Sequence, residues 1–450
     1  MASFSISGIG SGLDINSIVS QLVAAERAGA DSRISRTAST TNAQLSAIGT
    51  FRAAADALRR QTTALEGGQL TAWKASVGEG APFSATATGS GAQSGSYRVT
   101  VEQQAQAHVL RSAGMAGADT EVGEGDLDIH VGDTAFTVTI GSGDRSLAGI
   151  AAAINAAPDN AGVNARVVVA DSGAHLVISS RSAGSDSALR IVSSGGDGGL
   201  TALDYDPGNS VALVETQAAQ DARIEVDGLT VTRGSNSIAD VIPGVTLNIS
   251  GEAPGESFSL NINADVDATL SKINSLVAAY NATLATARQA TRYDAATKTA
   301  GALQGDATLR GAASALRGAV SASGGDGDTL TDLGFKTATD GTLTVDSAAL
   351  RAALAADPEQ VARMLTGEQG LTARIDTVLD DYLGSDGRLQ VKTDSLNARL
   401  KFAQQQQDDV NRRMELIQAR YQAQFTALDT LVGQMNSMSN YLASQLATLG

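Results

Sequence analysis

The sequence begins with three glycines at alternate positions, a spacing that is typical of phosphate-binding loops. Gly8, Gly10 and Gly12 follow the short run Phe-Ser-Ile-Ser. A dinucleotide-binding loop needs its third glycine where this chain has Leu13, and it needs a strand–helix–strand unit around it. Helical sequence follows Leu13 instead, so a nucleotide-dependent enzyme is the least favoured class. We expect the glycines to form a flexible leader, and we expect no cofactor.

The remaining groups that could hold a metal or move a proton are scattered. His108, His130 and His175 are far apart and lack the helical His/Glu spacing of a metal site, so we expect ordinary surface or turn positions. The segments 326–328 and 294–299 lack the closing glutamate of a calcium loop and predict turns. The chain has no cysteine, which excludes thiolate ligands and disulfides. We therefore expect no catalytic residue, no metal site and no enzyme activity.

The overall composition excludes two classes of partner. The chain has no run of roughly 18 apolar residues and no basic start followed by an apolar stretch. We therefore expect neither membrane insertion nor a cleaved signal peptide. The formal net charge of −16 would repel phosphate backbones, so we expect no nucleic acid partner.

The acidic charge is concentrated in the middle of the chain. Residues 76–265 carry 8 basic and 23 acidic side chains, a net −15, together with five of the six prolines and no lysine. Residues 1–75 carry a net +2 and residues 266–450 a net −3, and both of these flanks show helical periodicity. This change in composition marks the strongest domain boundary in the sequence.

The acidic middle has the pattern of mostly antiparallel β structure. Short alternating runs such as Ala135–Ile140 are separated by clusters of Gly, Asp, Asn and Ser. One helix is predicted at about residues 147–157. Because the block exceeds one typical domain, we expect two β-domains. The inner one would combine residues 77–112 with 217–265, and the outer one would be residues 113–216.

The flanks have the apolar periodicity of bundle or coiled-coil helices. We expect one helical bundle built from residues 34–76 and 266–420. Beyond it we expect two assembly helices, residues 1–33 and 421–450, which pair with each other. Gly29 supplies the predicted break between the first helix and the bundle. The predicted fold class is α+β and multidomain, a discontinuous helical bundle or coiled coil from both chain ends with the two β-domains inserted between them.

Both terminal segments carry apolar stripes that need a partner. Asp14 is placed to cap the first helix, and a stutter in the heptads at Tyr421 predicts the point where the C-terminal arm leaves the bundle. Packing within the chain is the simpler explanation for the other stripes, whereas for the two ends we expect contact between subunits. The predicted assembly interface consists of Ile15, Ile18, Val19, Leu22, Val23, Phe425, Leu428, Val432, Met435, Met438, Leu442 and Leu446.

Four stretches of the sequence are distinctive: Gly8–Leu22, 217–248, 330–365 and 421–446. They resemble, in this order, the N-terminal signature, the β-domain, the helical-domain repeat and the C-terminal helix of the flagellar filament cap family, hook-associated protein 2. The segment Leu147–Asn155 resembles a small insertion motif shared with flagellin outer domains. The joint after the first helix departs from the family, because it lacks the proline that members often carry there.

The resemblance implies a structural protein at the distal tip of the bacterial flagellar filament. It implies a ring of subunits, commonly a pentamer, that promotes the insertion and folding of exported flagellin and prevents its loss. It also implies contact with the filament tip and the hook–filament junction protein, and a cytoplasmic export chaperone at the C-terminal helix. The implied location is extracellular, reached through the flagellar type III system without a cleaved signal peptide.

Two alternatives stay open at the level of sequence. The acidic β-domains could serve a surface adhesin that binds host glycans or mucin, or the chain could be another axial flagellar protein, such as the hook–filament junction protein. Deletion of residues 113–216 separates adhesion from capping, because an adhesin would lose attachment while its filaments were kept.

Overall fold

The computed structural model describes residues 14–88, 91–322 and 329–447. The glycine leader at positions 8–12 and the predicted turn at 326–328 lie outside these residues.

The chain divides into two compact units. One unit combines the chain up to Glu66 with the chain from Leu270 onward, and the other is Gly67–Thr269. Helices dominate the first unit and antiparallel sheets the second, so the predicted α+β class with an inserted β region is confirmed. The α-helices are α1 (Ile15–Thr63), α2 (Leu147–Ala156), α3 (Val266–Thr291), α4 (Ala307–Ser321), α5 (Ser347–Ala356), α6 (Pro358–Thr366), α7 (Leu371–Leu383) and α8 (Arg388–Ala447), and short 3₁₀ helices span Ser185–Ser187, Gly199–Leu203 and Leu330–Leu333.

Helix α1 begins where the sequence predicts and runs without a break. The Asp14 carboxylate accepts a hydrogen bond from the Ser17 N–H at 3.1 Å and so caps the helix. The predicted break at Gly29 is wrong, because α1 continues through this residue. Glycine costs an exposed helix only about 1 kcal/mol relative to alanine, and contacts with α8 on both sides of Gly29 offset that cost.

Helix α8 is unbroken over 60 residues, so the stutter at Tyr421 does not interrupt it. At 1.5 Å per residue the helix is about 90 Å long. Near its start, Lys392 Nζ lies 2.8 Å from the largely buried carboxylate of Asp306. The same carboxylate accepts the N–H groups of Thr308 and Leu309 as the N-cap of α4. One aspartate thus joins the start of α4 to α8.

Every strand pairing within the described residues is antiparallel. The strands are β1 (Trp73–Val77), β2 (Phe83–Ala87), β3 (Gly95–Gln103), β4 (Ala107–Arg111), β5 (Gly125–Val131), β6 (Thr134–Ile140), β7 (Val163–Ala170), β8 (Gly173–Ala183), β9 (Leu189–Ser194), β10 (Tyr205–Asp206), β11 (Ser210–Val211), β12 (Val214–Gln217), β13 (Ala222–Val226), β14 (Leu229–Arg233), β15 (Ser237–Ile242), β16 (Val245–Ile249), β17 (Ser257–Ala264), β18 (Tyr293–Asp294), β19 (Thr299–Ala300), β20 (Phe335–Thr337) and β21 (Leu343–Val345). β18 with β19 and β20 with β21 form short hairpins in the helical unit.

Two sheets form the first part of the β unit. Their strand orders are β1-β17-β3-β13-β14 and β15-β16-β2. Alternate side chains of both sheets, among them Val99, Ile224 and Leu247, bury a common core. Strand β1 begins before the predicted start of the β region at residue 77, and it pairs with β17 so that Trp73 lies opposite Ala264. The chain therefore enters and leaves the β unit side by side.

Two further sheets and α2 form the second part of the β unit. Their orders are β11-β10-β9-β5-β6 and β12-β4-β8-β7, and they enclose a core with Leu127 and Ile150. The predicted division at residue 112 is wrong for β4, because this strand pairs with β8 and β12 and buries Leu110 in the second core. The partner strands β8 and β12 lie about 70 and 105 residues later in the chain. Such long-range pairing leaves no local signal in the sequence of β4.

The two parts of the β unit are joined by two adjacent chain segments. Gln106 and Gln220 exchange backbone hydrogen bonds of 2.8 and 3.2 Å. The Gln220 side-chain amide donates to the Gln104 carbonyl at 3.1 Å, and the Gln217 amide donates to the Ala107 carbonyl at 2.8 Å. The connection is therefore a hydrogen-bonded two-stranded ribbon.

His108 and His175 are buried, which corrects the prediction of surface or turn positions for these two residues. Nδ1 of His108 accepts the N–H of Leu189 at 2.7 Å, so Nε2 carries the proton and donates to Glu215 at 3.1 Å. Burial lowers the pKa of His108, and the neighbouring Glu215 opposes this shift. Nδ1 of His175 donates to the Ser112 carbonyl at 2.8 Å. Both rings therefore connect strands of the second β part.

A partly buried carboxyl lies beside the end of α1. Asp376 of α7 accepts a hydrogen bond of 2.6 Å from Thr62 Oγ1. Burial raises the pKa of Asp376 to about 6; the bond from Thr62 opposes this shift, and the Glu66 carboxyl adds to it. The ionised form is thus less favourable in the folded protein than in the unfolded chain. Stability from the protonated form is therefore lost as the pH rises through about 6.

Asp376→Asn removes this ionisation, and we expect the free energy of unfolding to rise by about 1 kcal/mol above roughly pH 7, with no gain near pH 4. The expected gain is smaller than the full pKa shift implies because water still reaches the side chain. Urea unfolding at the two pH values measures it. Asp380→Asn is the matched control on the same helix, since it removes the 2.7 Å ion pair with Arg59 and should give no gain. A gain from Asp376→Asn of the same size at both pH values would contradict the explanation.

Candidate assembly interface

Helices α1 and α8 pack side by side in antiparallel directions. Near the start of α1, Asn16 Oδ1 accepts a hydrogen bond from Gln422 Nε2 at 2.7 Å. Further along, Asp31 Oδ1 accepts from Gln407 Nε2 at 2.9 Å. From the first contact to the second, residue numbers increase along α1 and decrease by the same amount along α8, as antiparallel packing requires. The start of α1 lies beside residue 422, and α8 continues past it.

The apolar side of α1 is buried against α8 of the same chain. Ile15, Val19 and Val23 are only 2%, 1% and 8% exposed. Their four-residue spacing places them on one face, which fits the antiparallel apolar stripe of α8. The remaining members of this apolar seam are Ile34, Ala403, Val410 and Met414, with Ala30, Ile417, Tyr421 and Phe425 packed against them.

This seam corrects the predicted pairing of the chain ends. The first helix was expected to pair with residues 421–450, whereas its partner is about 403–425. Ile15, Val19 and Val23 were expected to contact another subunit, and in this structure they contact their own α8. Periodicity identifies an apolar face but not its occupant, because any stripe of matching spacing can cover it.

Ile18 and Leu22 lie at the edge of the seam, one helical turn apart. Leu22 is 42% exposed and Ile18 is half-buried. On the same helix, Glu26 accepts a hydrogen bond from the Tyr421 hydroxyl at 3.3 Å. This edge of α1 therefore offers a small apolar surface beside the closed seam.

Beyond the start of α1, the apolar stripe of α8 is open to solvent. Phe425 and Val432 are half-buried. The other predicted residues of this helix are between 49% and 72% exposed: Leu428, Met435, Met438, Leu442 and Leu446. The open stripe is about 30 Å long at 1.5 Å per residue. An exposed apolar surface of this length is typical of a protein contact site.

The prediction missed two residues of the same surface. Leu431 is 53% exposed and Tyr441 is 62% exposed. They lie three positions after Leu428 and Met438, and a helix places residues three apart on neighbouring positions of its surface. A wider apolar face, rather than a narrow heptad stripe, would have included them.

The end of α8 is almost uncharged. Asp429 is the one charged residue in the sequence from 421 to 447. A partner would therefore be held mainly by burial of apolar area, and salt would weaken its binding little.

Other kinds of site find little support in the part of the chain that the structure describes. No group of three His, Asp or Glu residues within it is placed to hold a metal ion. None of the helices described is both long and apolar enough to cross a lipid bilayer. At the predicted turn 294–299, Asp294 Oδ1 accepts the N–H groups of Ala296 and Thr297 at 3.0 and 3.3 Å, so the turn is confirmed.

Three family descriptions match the chain. Residues 219–437 match the flagellar hook-associated protein 2 C-terminus, and residues 11–108 match the N-terminus of the same family. Residues 126–182 match the flagellin hook IN motif, and this range contains Leu147–Asn155, where the sequence resembles a flagellin insertion motif.

Individual relatives match over nearly the whole chain. The chain is 30% identical over 468 residues to the B-type flagellar hook-associated protein 2 of Pseudomonas aeruginosa, covering 100% of this chain and 98% of the relative. It is 32% identical over 465 residues to flagellar hook-associated protein 2 of Escherichia coli K12, covering 99% and 98%. The crystal structure of the flagellar cap protein FliD D1-D2-D3 domains from Escherichia coli is similar with a TM-score of 0.65 at 30% identity, covering 78% of this chain and 99% of that one.

Val19→Ala should weaken the closed seam, because it removes two methyl groups from a side chain that is 1% exposed. We expect a loss of about 1–2 kcal/mol in the free energy of opening this part of α1. Leu22→Ala is the matched control at the exposed edge and should cost less than about 0.5 kcal/mol. Hydrogen exchange of the amides of 15–23 in the isolated subunit measures both. Equal effects of the two substitutions would show that Val19 is not buried in solution.

Proposed function

Because the chain belongs to the flagellar hook-associated protein 2 family, we propose that it is the structural cap at the distal tip of a bacterial flagellar filament. Relatives of that name match it from end to end, and the similar solved structure is of a flagellar cap protein. The alternatives of a surface adhesin and a hook–filament junction protein are not supported by these similarities. The cap acts through contacts with other proteins and not through covalent catalysis.

The observation that carries the proposal is the open apolar stripe of α8. A helix that ends in an exposed apolar face of about 30 Å needs a partner to cover it. Among the residues that the structure describes, α1 covers the stripe, and it does so only as far as residues 422–425. The rest, from Leu428 to Leu446, is therefore the surface with which the subunit contacts the filament or a second copy of itself.

The proposed partners are those that membership of the family implies. Subunits associate into a ring, commonly a pentamer, whose terminal helices reach the filament tip and the flagellin subunits there. The ring promotes insertion and folding of exported flagellin and prevents its loss. The hook–filament junction protein is a further proposed partner of the cap. The proposal does not extend to host glycans or mucin, since the similarities to hook-associated protein 2 give no support for them.

The proposed export route is consistent with the exposed apolar end of α8. We propose export by the flagellar type III system to the extracellular tip. A cytoplasmic chaperone would cover the apolar end of α8 before export. The chain has no cysteine, so no disulfide obstructs the passage of an unfolded chain.

Leu428→Asp combined with Met435→Asp should abolish capping. Each places a charge in a contact that is held by apolar burial, where an unpaired charge is costly. Both side chains are exposed in the subunit, so its fold should be unchanged. In a strain whose own copy is deleted, the variant should give short or absent filaments and flagellin in the culture medium.

Thr426→Asp combined with Asn440→Asp is the matched control, since it adds the same two charges at exposed positions on the side of α8 that faces away from the stripe. It should leave the filaments at their normal length. Normal filaments with the double variant of Leu428 and Met435 would overturn the proposed role of the stripe, provided that immunoblots of the medium show the variant is exported.

A further inference from the structure

The seam between α1 and α8 has a gap in its apolar packing. On α1 the buried apolar side chains of the seam stop at Val23 and resume at Ile34, and Ala30 is the one partly buried apolar residue of the described cluster between them. On α8 the gap lies between Ala403 and Val410. The N-terminal arm of α1, defined as Ile15–Val23, is therefore separated from Ile34, the next large buried apolar side chain of α1 in the seam, by about three helical turns, and the gap on α8 is about two turns long.

Four polar side chains form a closed ring of hydrogen bonds at this gap. Arg27 donates from Nε to Asp31 at 2.6 Å and from Nη2 to Asn411 at 3.0 Å. Gln407 Nε2 donates to Asp31 at 2.9 Å and lies 3.4 Å from Asn411 Oδ1. Two residues of each helix thus take part, and we call this ring the polar clasp.

The clasp encloses a weak point of α1. Gly29 lies between Arg27 and Asp31, and nothing lies within 4 Å of the position where a Cβ would be. Glycine has the lowest helix propensity after proline. The helix is continuous here, so the hydrogen bonds of the clasp hold a segment that its own backbone and its apolar contacts hold only weakly.

We propose that the clasp is a releasable catch for the N-terminal arm. Closed, it keeps Ile15, Val19 and Val23 on their own α8. When it opens, the arm turns away at Gly29 as one piece and uncovers the α8 stripe from Met414 to Phe425. That newly exposed surface is about 16 Å long at 1.5 Å per residue and is continuous with the open stripe. This regulation therefore rests on the proposed function, and it lengthens the contact surface that a second copy can reach by roughly half.

The exposure of the clasp explains why it can release. The side chains of Arg27 and Asp31 are 37% and 34% exposed, so water can replace each hydrogen bond as the ring opens. Apolar side chains at the same positions would have to expose their whole buried area to water at once. Polar groups at the gap thus permit opening that a continuous apolar seam would prevent.

Hydrogen exchange of the isolated subunit tests the catch without any filament. Asp31→Ala removes two bonds of the ring, one to Arg27 within α1 and one to Gln407 of α8, and the higher helix propensity of alanine offsets the loss of the pair within α1. We expect exchange of the amides of 15–23 to become about tenfold faster, with the rest of α1 unchanged. Asp31→Leu with Gln407→Leu fills the gap with apolar side chains and should make the same amides exchange about tenfold slower.

Two further variants complete the design. Asp408→Ala is the matched control, because its carboxylate is exposed, adjacent to Gln407 and outside the ring. Gly29→Ala should slow opening of the arm about fivefold, since the added methyl stiffens the helix and has open space around it. The proposal is overturned if Asp31→Ala and Asp408→Ala give equal exchange in 15–23, or if exchange rises along the whole of α1. A catch that fails this test leaves the capping experiment with Leu428 and Met435 unaffected, so the two proposals can fail independently.

Discussion

The antiparallel packing of α1 on α8 determines how the rest of the chain is arranged. These two helices come from opposite ends of the sequence, and their seam is buried. The chain therefore leaves the helical unit after Glu66, forms the β unit, and returns to the helical unit at Leu270. Inside the β unit the same condition is met by β1 and β17, which pair along their length where the chain enters and leaves. The chain also enters and leaves the second part of the β unit side by side, in the ribbon at Gln106 and Gln220.

Features that depend on near neighbours in the sequence could be predicted. The N-cap at Asp14 and the apolar face of α1 need only residues a turn away, and the structure has both. The change in charge and proline content separated helical from β sequence, because each class of structure selects residues locally. The large apolar residues of α8 from Phe425 onward were also identified, apart from Leu431 and Tyr441, which a heptad stripe is too narrow to include.

Features that depend on distant partners could not be predicted. Gly29 looked like a break because its own helix propensity is low. The residues that hold its neighbours Arg27 and Asp31 in place, Asn411 and Gln407, lie nearly 400 residues away in the sequence. Strand β4 was assigned to the wrong part because its neighbours β8 and β12 come much later in the chain. His108 looked ordinary for the same reason, since the groups that satisfy its ring belong to Leu189 and Glu215. The apolar face of Ile15, Val19 and Val23 is likewise covered by a distant segment of the chain, and the local sequence does not indicate which segment that is.

The ribbon at Gln106 and Gln220 has a mechanical consequence. A single linker between the two parts of the β unit would bend and rotate freely, whereas two covalent chains bonded to each other share any tension and resist torsion. Twisting one part against the other must first break the paired backbone bonds between Gln106 and Gln220 and the side-chain bonds beside them. The ribbon that connects the two parts of the β unit is therefore stiff. A force applied to the second part is transmitted to the first part and does not simply bend the connection.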